Sequence, residues 1–268
     1  MSSPVAAIVK QELRRRRLYL LWWSIGIIVL VALTILAYGS VKDQADQLNK
    51  AFDHLSSNIS SFVGTDNMFT PTGYLNSQLY FITLPILFIL LSITLTSSLV
   101  SKEERNHTLE LLLARPIGRS RLLAAKALSG ALIVGVLGLV TALVTLLCSY
   151  AVHTGVGAGH LLLTTLWMVL FSGAFGAVAF MFYAASQATR RVAAVAAILL
   201  SLGGYILSSL AGMVHGLAWV AKLFPYHYYN PGAILTGSVS VGLVIYVAAI
   251  YVVALGIGVL GFRRRDIS

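Results

Sequence analysis

Six stretches of this 268-residue chain are apolar for about twenty residues at a time, the length an α-helix needs to cross a bilayer: Leu18–Tyr38, Leu79–Val100, Leu122–Val152, Leu161–Tyr183, Val192–Val214 and Val239–Phe262. Few features constrain a fold more. In hydrocarbon every backbone N–H and C=O must be paired within the protein, which leaves helices or closed barrels. Barrel strands read as short alternating segments, and these runs are long and continuous. Hydrophobic residues make up 58% of the chain and charged residues 10%, against about 25% charged in a soluble domain. The expectation is an all-α integral membrane protein, a single transmembrane domain over residues 1–268 with six spans. The third run is long enough to tilt or to begin as a cytoplasmic helix.

The basic residues orient the spans. With the N-terminus inside, the cytoplasmic segments hold Lys10, Arg14, Arg15, Arg16, Arg17, Lys102, Arg105, Arg115, Arg119, Arg121, Lys126, Arg190, Arg191, Arg263, Arg264 and Arg265; the outer segments hold only Lys42, Lys50 and Lys222. Sixteen against three predicts a multi-pass protein of the cell membrane with both termini cytoplasmic. The net charge of +10 is mostly this signal, together with attraction to anionic membrane lipid. Because the basic residues sit at span boundaries, nucleic acid is not an expected partner. Arg14–Arg17 precede an apolar run longer than a signal-peptide core, so the first run is expected to stay as an anchor. Cys148, the one cysteine, lies in an apolar run and has no partner for an internal disulfide.

Between the spans three segments carry pattern. Pro4–Arg17 reads as an amphipathic helix in the inner interface, with Val5, Ile8, Val9 and Leu13 on one face and Lys10, Gln11, Arg14 and Arg15 on the other. Its candidate partner contacts are Lys10, Glu12, Arg14 and Arg15. In the outer segment Ser40–Gln78, an apolar stripe (Val41, Ala45, Leu48, Phe52, Leu55, Ile59, Phe62) predicts an extracellular amphipathic helix, with Ser40 and Asp43 resembling a capping box. Asn58-Ile-Ser60 fits the short glycosylation pattern. Before the last span comes "FPYHYYNPG", Phe224–Gly232. Pro225 and Pro231 break regular structure there. Tyr226, Tyr228 and Tyr229 suit either an aromatic belt at the outer interface or a broken hairpin re-entering the membrane.

Several chemistries are missing. All nine acids lie in loops or tails, and none occurs between Glu110 and Asp266. Relays of protons or ions through membranes use buried ionisable residues, so a proton- or cation-coupled carrier is disfavoured. No HExxH, nucleophile elbow or phosphate-binding GxxxxGK[ST] occurs. His54, His107, His153, His160, His215 and His227 are scattered without metal-ligand spacing. The expectation is a chain that is no enzyme and binds no metal or cofactor itself. If it moves anything uphill, the energy comes from another polypeptide.

The most charged stretch, Ser101–Lys126, lies between the second and third runs. Thr108–Ala114 can form a short helix with Glu110 in its first turn, which Arg115-Pro116 ends. Leu109, Leu111, Leu112 and Leu113 project around nearly the whole helix, so part of it needs an apolar partner beyond the membrane. "KEERNHTLELLLARPIGRSRLLAAK" resembles the cytoplasmic loop of ABC type-2 transporter permeases. The matching positions are Lys102, Glu103, Glu104, Arg105, Thr108, Glu110, Leu111–Leu113, Pro116, Arg119 and Lys126, with His107 where the family usually has glycine. The six-span layout, the basic amphipathic N-terminus and "FPYHYYNP" extend the resemblance over nearly the full chain.

The resemblance implies a permease subunit that exports a small or amphipathic substrate. ATP-Mg would be bound and hydrolysed on a separate ABC ATPase subunit present in two copies. A second permease copy, identical or a paralogue, would complete the pathway. Glu103, Glu104, Thr108, Glu110, Leu111, Leu112, Leu113 and Pro116 would then form the coupling helix that docks the ATPase. Hydroxyls on the second run (Thr83, Ser92, Thr94, Thr96, Ser97, Ser98) and rings (Phe171, Phe175, Phe180, Phe182, Tyr183) could line a substrate path or simply pack. An ATP-independent carrier or channel, or a structural membrane protein, are the alternatives.

Overall fold

Arg16 is where the first helix bends into the second. In a computed structural model, α1 (Pro4–Arg15) and α2 (Arg17–Val41) meet at this residue, whose N–H still bonds to Glu12 O at 3.1 Å. The structure describes residues 4–45, 47, 64–65, 67–105, 119–185, 187–211 and 214–263. After α2 come α3 (Pro71–Leu75), α4 (Thr83–Arg105), α5 (Arg119–Val152), α6 (Ala158–Ala185), α7 (Gln187–Ala211), α8 (Ala218–Ala221), α9 (Pro231–Leu235) and α10 (Val241–Arg263). No strand occurs among the described residues.

Among the described residues six helical columns are long and apolar enough to cross a membrane: Arg17–Gln44, Pro71–Leu99, Arg121–Val152, Ala158–Ala184, Ala193–Ala211 and Val241–Gly261. The protein is an all-α integral membrane protein. Its outer surface says the same. On α2 only Ile27, Val31, Ile35 and Tyr38 are buried, one stripe at helical spacing, while Leu18, Leu21, Trp22, Ile25, Val29, Leu33 and Leu36 are exposed. An apolar face of that extent suits lipid and not water.

The centre of the bundle is α6, which packs against α4, α10, α7 and α5, while α2 and α1 lean on α5 from outside. Small residues set these approaches. A Cβ on Gly138 of α5 would stand 2.7 Å from Val169 Cγ2 of α6, and one on Gly176 of α6 would stand 2.7 Å from Ser92 Cβ of α4.

Two expectations need correction. The second column begins at Pro71 rather than Leu79, so Pro71–Gln78 is not part of a polar outer segment. Asn76, Ser77, Leu79 and Tyr80 are buried, and the run of Asn76, Ser77 and Gln78 hid the start of the column from a hydropathy reading. Thr70 starts it as a cap, its Oγ1 accepting from Gly73 N–H at 3.1 Å with Pro71 in the first turn. A π turn over Asn76–Tyr80 follows. Pro85 lacks an N–H and its ring crowds the carbonyl four residues back, so the ladder is interrupted at Phe81-Ile82 before α4 resumes. Second, Ser40 caps nothing. It lies inside α2, and the chain runs on through a 3-10 turn, Lys42–Gln44, with no side-chain cap. From Leu48 through Phe62 the apolar stripe lies outside the described residues, as does Asn58-Ile-Ser60.

Candidate functional site

Two polar constellations stand at opposite ends of the bundle. At one end, α1 is fastened across the last turns of α4 and the first of α5. Arg16 Nε donates to Glu12 Oε2 at 3.3 Å, and its Nη1 donates to Ser98 Oγ on α4 at 2.7 Å. Ser98 O–H in turn donates to Leu95 O at 2.8 Å. At the next residue, Lys126 of α5 reaches back and donates to Leu99 O at 2.6 Å. Glu12 and Lys126 are both buried. A buried charge is tolerable only when hydrogen-bonded or paired. These bonds therefore hold α1, α4 and α5 in one arrangement, and α4 and α5 are the two stems of the charged stretch.

At the other end, the chain between α7 and α10 folds inward. Phe224–Leu235 is broken into a 3-10 turn, Pro225–His227, and the short α9. Asn230 caps α9 by accepting from Ala233 N–H at 3.1 Å. This cap followed by proline repeats the Thr70-Pro71 start of α3, and both breaks lie together, with α9 packed on α3 and the π turn. Tyr226 and Tyr229 point into the bundle and are buried. Phe171 of α6 stacks on Tyr229 with centroids 4.2 Å apart and planes 8° off parallel. It meets Tyr226 edge-on at 4.9 Å and Phe175 at 5.4 Å.

Hydrogen bonds extend this nest. Tyr229 O–H donates to Tyr80 O at 2.9 Å. Tyr80 O–H lies 2.8 Å from Thr165 Oγ1, whose proton goes to Leu161 O at 2.8 Å, so Tyr80 is the donor of that pair. Tyr226 O–H, by contrast, is buried with no partner among the described residues. Burial, then the neighbouring phenols, raises Tyr229 well above an ordinary phenol, and burial raises Tyr226 in the same direction. Both rings are neutral at physiological pH.

The model of the family described as ABC-2 family transporter protein matches residues 6–267, nearly the whole chain. The chain belongs to the ABC-2 transporter family. No curated protein matches it. Permeases of this ABC-2 family usually pair with an ATPase subunit.

Within that ABC-2 framework the expected contact residues fall into three groups. Thr108, Glu110, Leu111, Leu112, Leu113 and Pro116 lie outside the described residues. Glu103 and Glu104 lie on the last turns of α4. On α1, Lys10, Arg14 and Arg15 are exposed, but Glu12 is turned inward to Arg16. Of the aromatic segment, Pro225, Tyr226, Tyr229 and Pro231 are buried and Tyr228 is half-buried. An interfacial belt would display its rings; Tyr226 and Tyr229 are instead core. Tyr228 stacks on Tyr246 of α10 at 5.1 Å and donates to Lys222 O at 3.0 Å.

Several of the hydroxyls and rings weighed as a substrate path or as packing are engaged within the chain. Thr94 donates to Leu90 O at 2.8 Å and Thr96 to Gly176 O at 3.4 Å; Phe171, Phe175, Phe180 and Tyr183 are buried. Sequence reasoning missed Arg16, Ser98, Tyr80 and Thr165 as a set. Arg16 is one of four consecutive arginines, and nothing local marks it as the one that turns inward. Among the described residues no cluster of His, Cys, Asp or Glu could hold a metal.

Proposed function

We propose that this protein is the membrane-spanning permease of an ATP-driven exporter, powered by a separate ATPase and working as a pair of permease chains with two ATPase copies. The observation that carries the reading is the family match over residues 6–267. Supporting it, the sequence has no phosphate-binding loop of its own, and the excess of basic residues on one side favours a cytoplasmic position for α1 and the Ser101–Lys126 stretch, where an ATPase works. The bonds of Arg16 and Lys126 suit a lever: the stems of the coupling stretch and α1 move as one body when an ATPase pulls on it. Alternating access then follows from tighter ATPase binding to one of two arrangements of the spans. The substrate is small or amphipathic. The packed rings inside one chain direct its path to the space between two chains.

Co-purification tests this. If Glu110 is desolvated in an ATPase cleft, Glu110→Ala removes half of a buried charged pair and costs roughly 2–5 kcal/mol, at least about tenfold in partner affinity. Asp43→Ala, an exposed acid at the opposite end, is the control; Glu12 is unsuitable because it is buried against Arg16. The expected result is loss of ATPase retention and of substrate-stimulated ATP hydrolysis in the first variant alone. Equal, native behaviour of both would reduce the stretch to a charged turn.

A further inference from the structure

Along the outer side of α1, where it leans on α5, runs an open groove of about 460 Å³. Val5, Val9 and Leu13 of α1 and Leu128 of α5 form its apolar part, and Lys10 and Arg14 stand at its edge. The two cations are four residues apart, hence on one ridge of α1. The acid of that helix does not offset them, because Glu12 is buried on another face and bonded to Arg16. α5 carries a further exposed cation on the face that holds Leu128. Arg121 is exposed and lies seven residues before Leu128 on α5, on the same face and about 10 Å nearer the helix start. From Leu128 the exposed side of α5 continues as an unbroken apolar track through Leu132, Val136 and Leu139. The eleven steps from Leu128 to Leu139 rise about 16 Å, close to half of the roughly 30 Å hydrocarbon core.

We propose that this corner is a binding site for one anionic glycerophospholipid. Its phosphate sits between Lys10, Arg14 and Arg121, and one acyl chain enters the α1–α5 groove and follows the α5 track. Positive charge at the mouth, an apolar floor, and a track one leaflet long match the two halves of such a lipid. A soluble acidic protein would use the cations and leave the groove and track empty. An occupied groove ties α1 to α5 directly, whereas the Arg16 and Lys126 bonds reach α4, so lipid composition would set how firmly α1 is held.

The test uses the purified full chain, delipidated in neutral detergent, with no ATPase present. Its outcome is therefore independent of the permease reading. Native mass spectrometry would count bound phosphatidylglycerol against phosphatidylcholine of equal chain length. A preference for phosphatidylglycerol is expected in the unmodified protein. In a Lys10→Gln/Arg14→Gln double variant that preference should fall by about thirtyfold, which is about 2 kcal/mol at 1.4 kcal/mol per decade, from about 1 kcal/mol per basic residue near anionic lipid. Leu128→Gln, which puts an amide in the apolar part, should lower retention of both lipids. Lys222→Gln, at the other end of the bundle, should change neither. Equal binding of the two lipids by the unmodified protein would overturn the proposal, as would a double variant that keeps its preference.

Discussion

The two inward tyrosines make a sharp comparison, because the same substitution should act on them in opposite directions. Tyr229→Phe removes one hydroxyl that is buried and donates to Tyr80 O at 2.9 Å. A typical buried hydrogen bond contributes about 0.5–1.5 kcal/mol net, and the orphaned acceptor adds its own desolvation cost, so a loss of about 1–2 kcal/mol is expected. Tyr226→Phe removes a hydroxyl that is equally buried but has no partner among the described residues. That group already bears the desolvation cost, so deleting it should be neutral or stabilising by up to about 1–2 kcal/mol. The ring contacts to Phe171, at 4.2 Å for Tyr229 and 4.9 Å for Tyr226, survive both changes, so packing does not confuse the comparison. Cys148, the one cysteine, is half-buried, and a thiol-reactive dye can report its exposure on heating. At about 2–4 °C per kcal/mol for a chain of this size, Tyr229→Phe should melt a few degrees below the unmodified protein and Tyr226→Phe at or above it. A Tyr226→Phe protein that melts as low as Tyr229→Phe would refute the assignment of partners in the nest.

Gly73→Ala should be severely destabilising, because a Cβ there would stand 1.7 Å from Asn67 O and 2.7 Å from Thr70 Oγ1; expression and the same melting assay would show it, with Gly135→Ala, which meets nothing within 4 Å, as the tolerated control. Burial and the nearby Lys222 charge lower His227 from its ordinary 6.5. A base whose folded pKa is depressed contributes stability above its unfolded value and loses it as pH falls, so the melting temperature should drop modestly from pH 7 downward through 6.5, and His227→Gln should flatten that slope. In a Cys148→Ser background, a cysteine at Asp53 should react with an impermeant reagent in intact cells and one at Glu104 should not; labelling at Glu104 would reverse the orientation.

Much of this protein was legible without its structure. Hydropathy is a sum over neighbours in the chain, so the number of spans, the helical class and the loop that resembles a coupling segment could be read locally. The reading failed where a local sum misleads. Asn76, Ser77 and Gln78 look like a polar loop but belong to a helical column in which Asn76 and Ser77 are buried and Gln78 is exposed; Asn76 Nδ2 donates to Gly64 O at 2.7 Å and the π turn keeps the backbone bonded. Tyr226 and Tyr229 look like interfacial rings, since their composition is amphipathic; whether such a ring lies in a belt or a core depends on what stands opposite.

What stands opposite is a matter of tertiary structure alone. Tyr80 and Tyr229 are 149 residues apart and Arg16 and Ser98 are 82 apart, and no periodicity in either segment records the other. The sequence determined that the chain spans a membrane as helices and that positive charge gathers at one set of their ends. Packing decided that α6 is the centre, that one arginine of four faces inward with Glu12, and that the aromatic segment closes over Phe171. Span formation is governed by each segment's own transfer into lipid, whereas the choice of neighbours depends on small-residue contacts and buried hydrogen bonds between segments, which exist only once the spans are side by side.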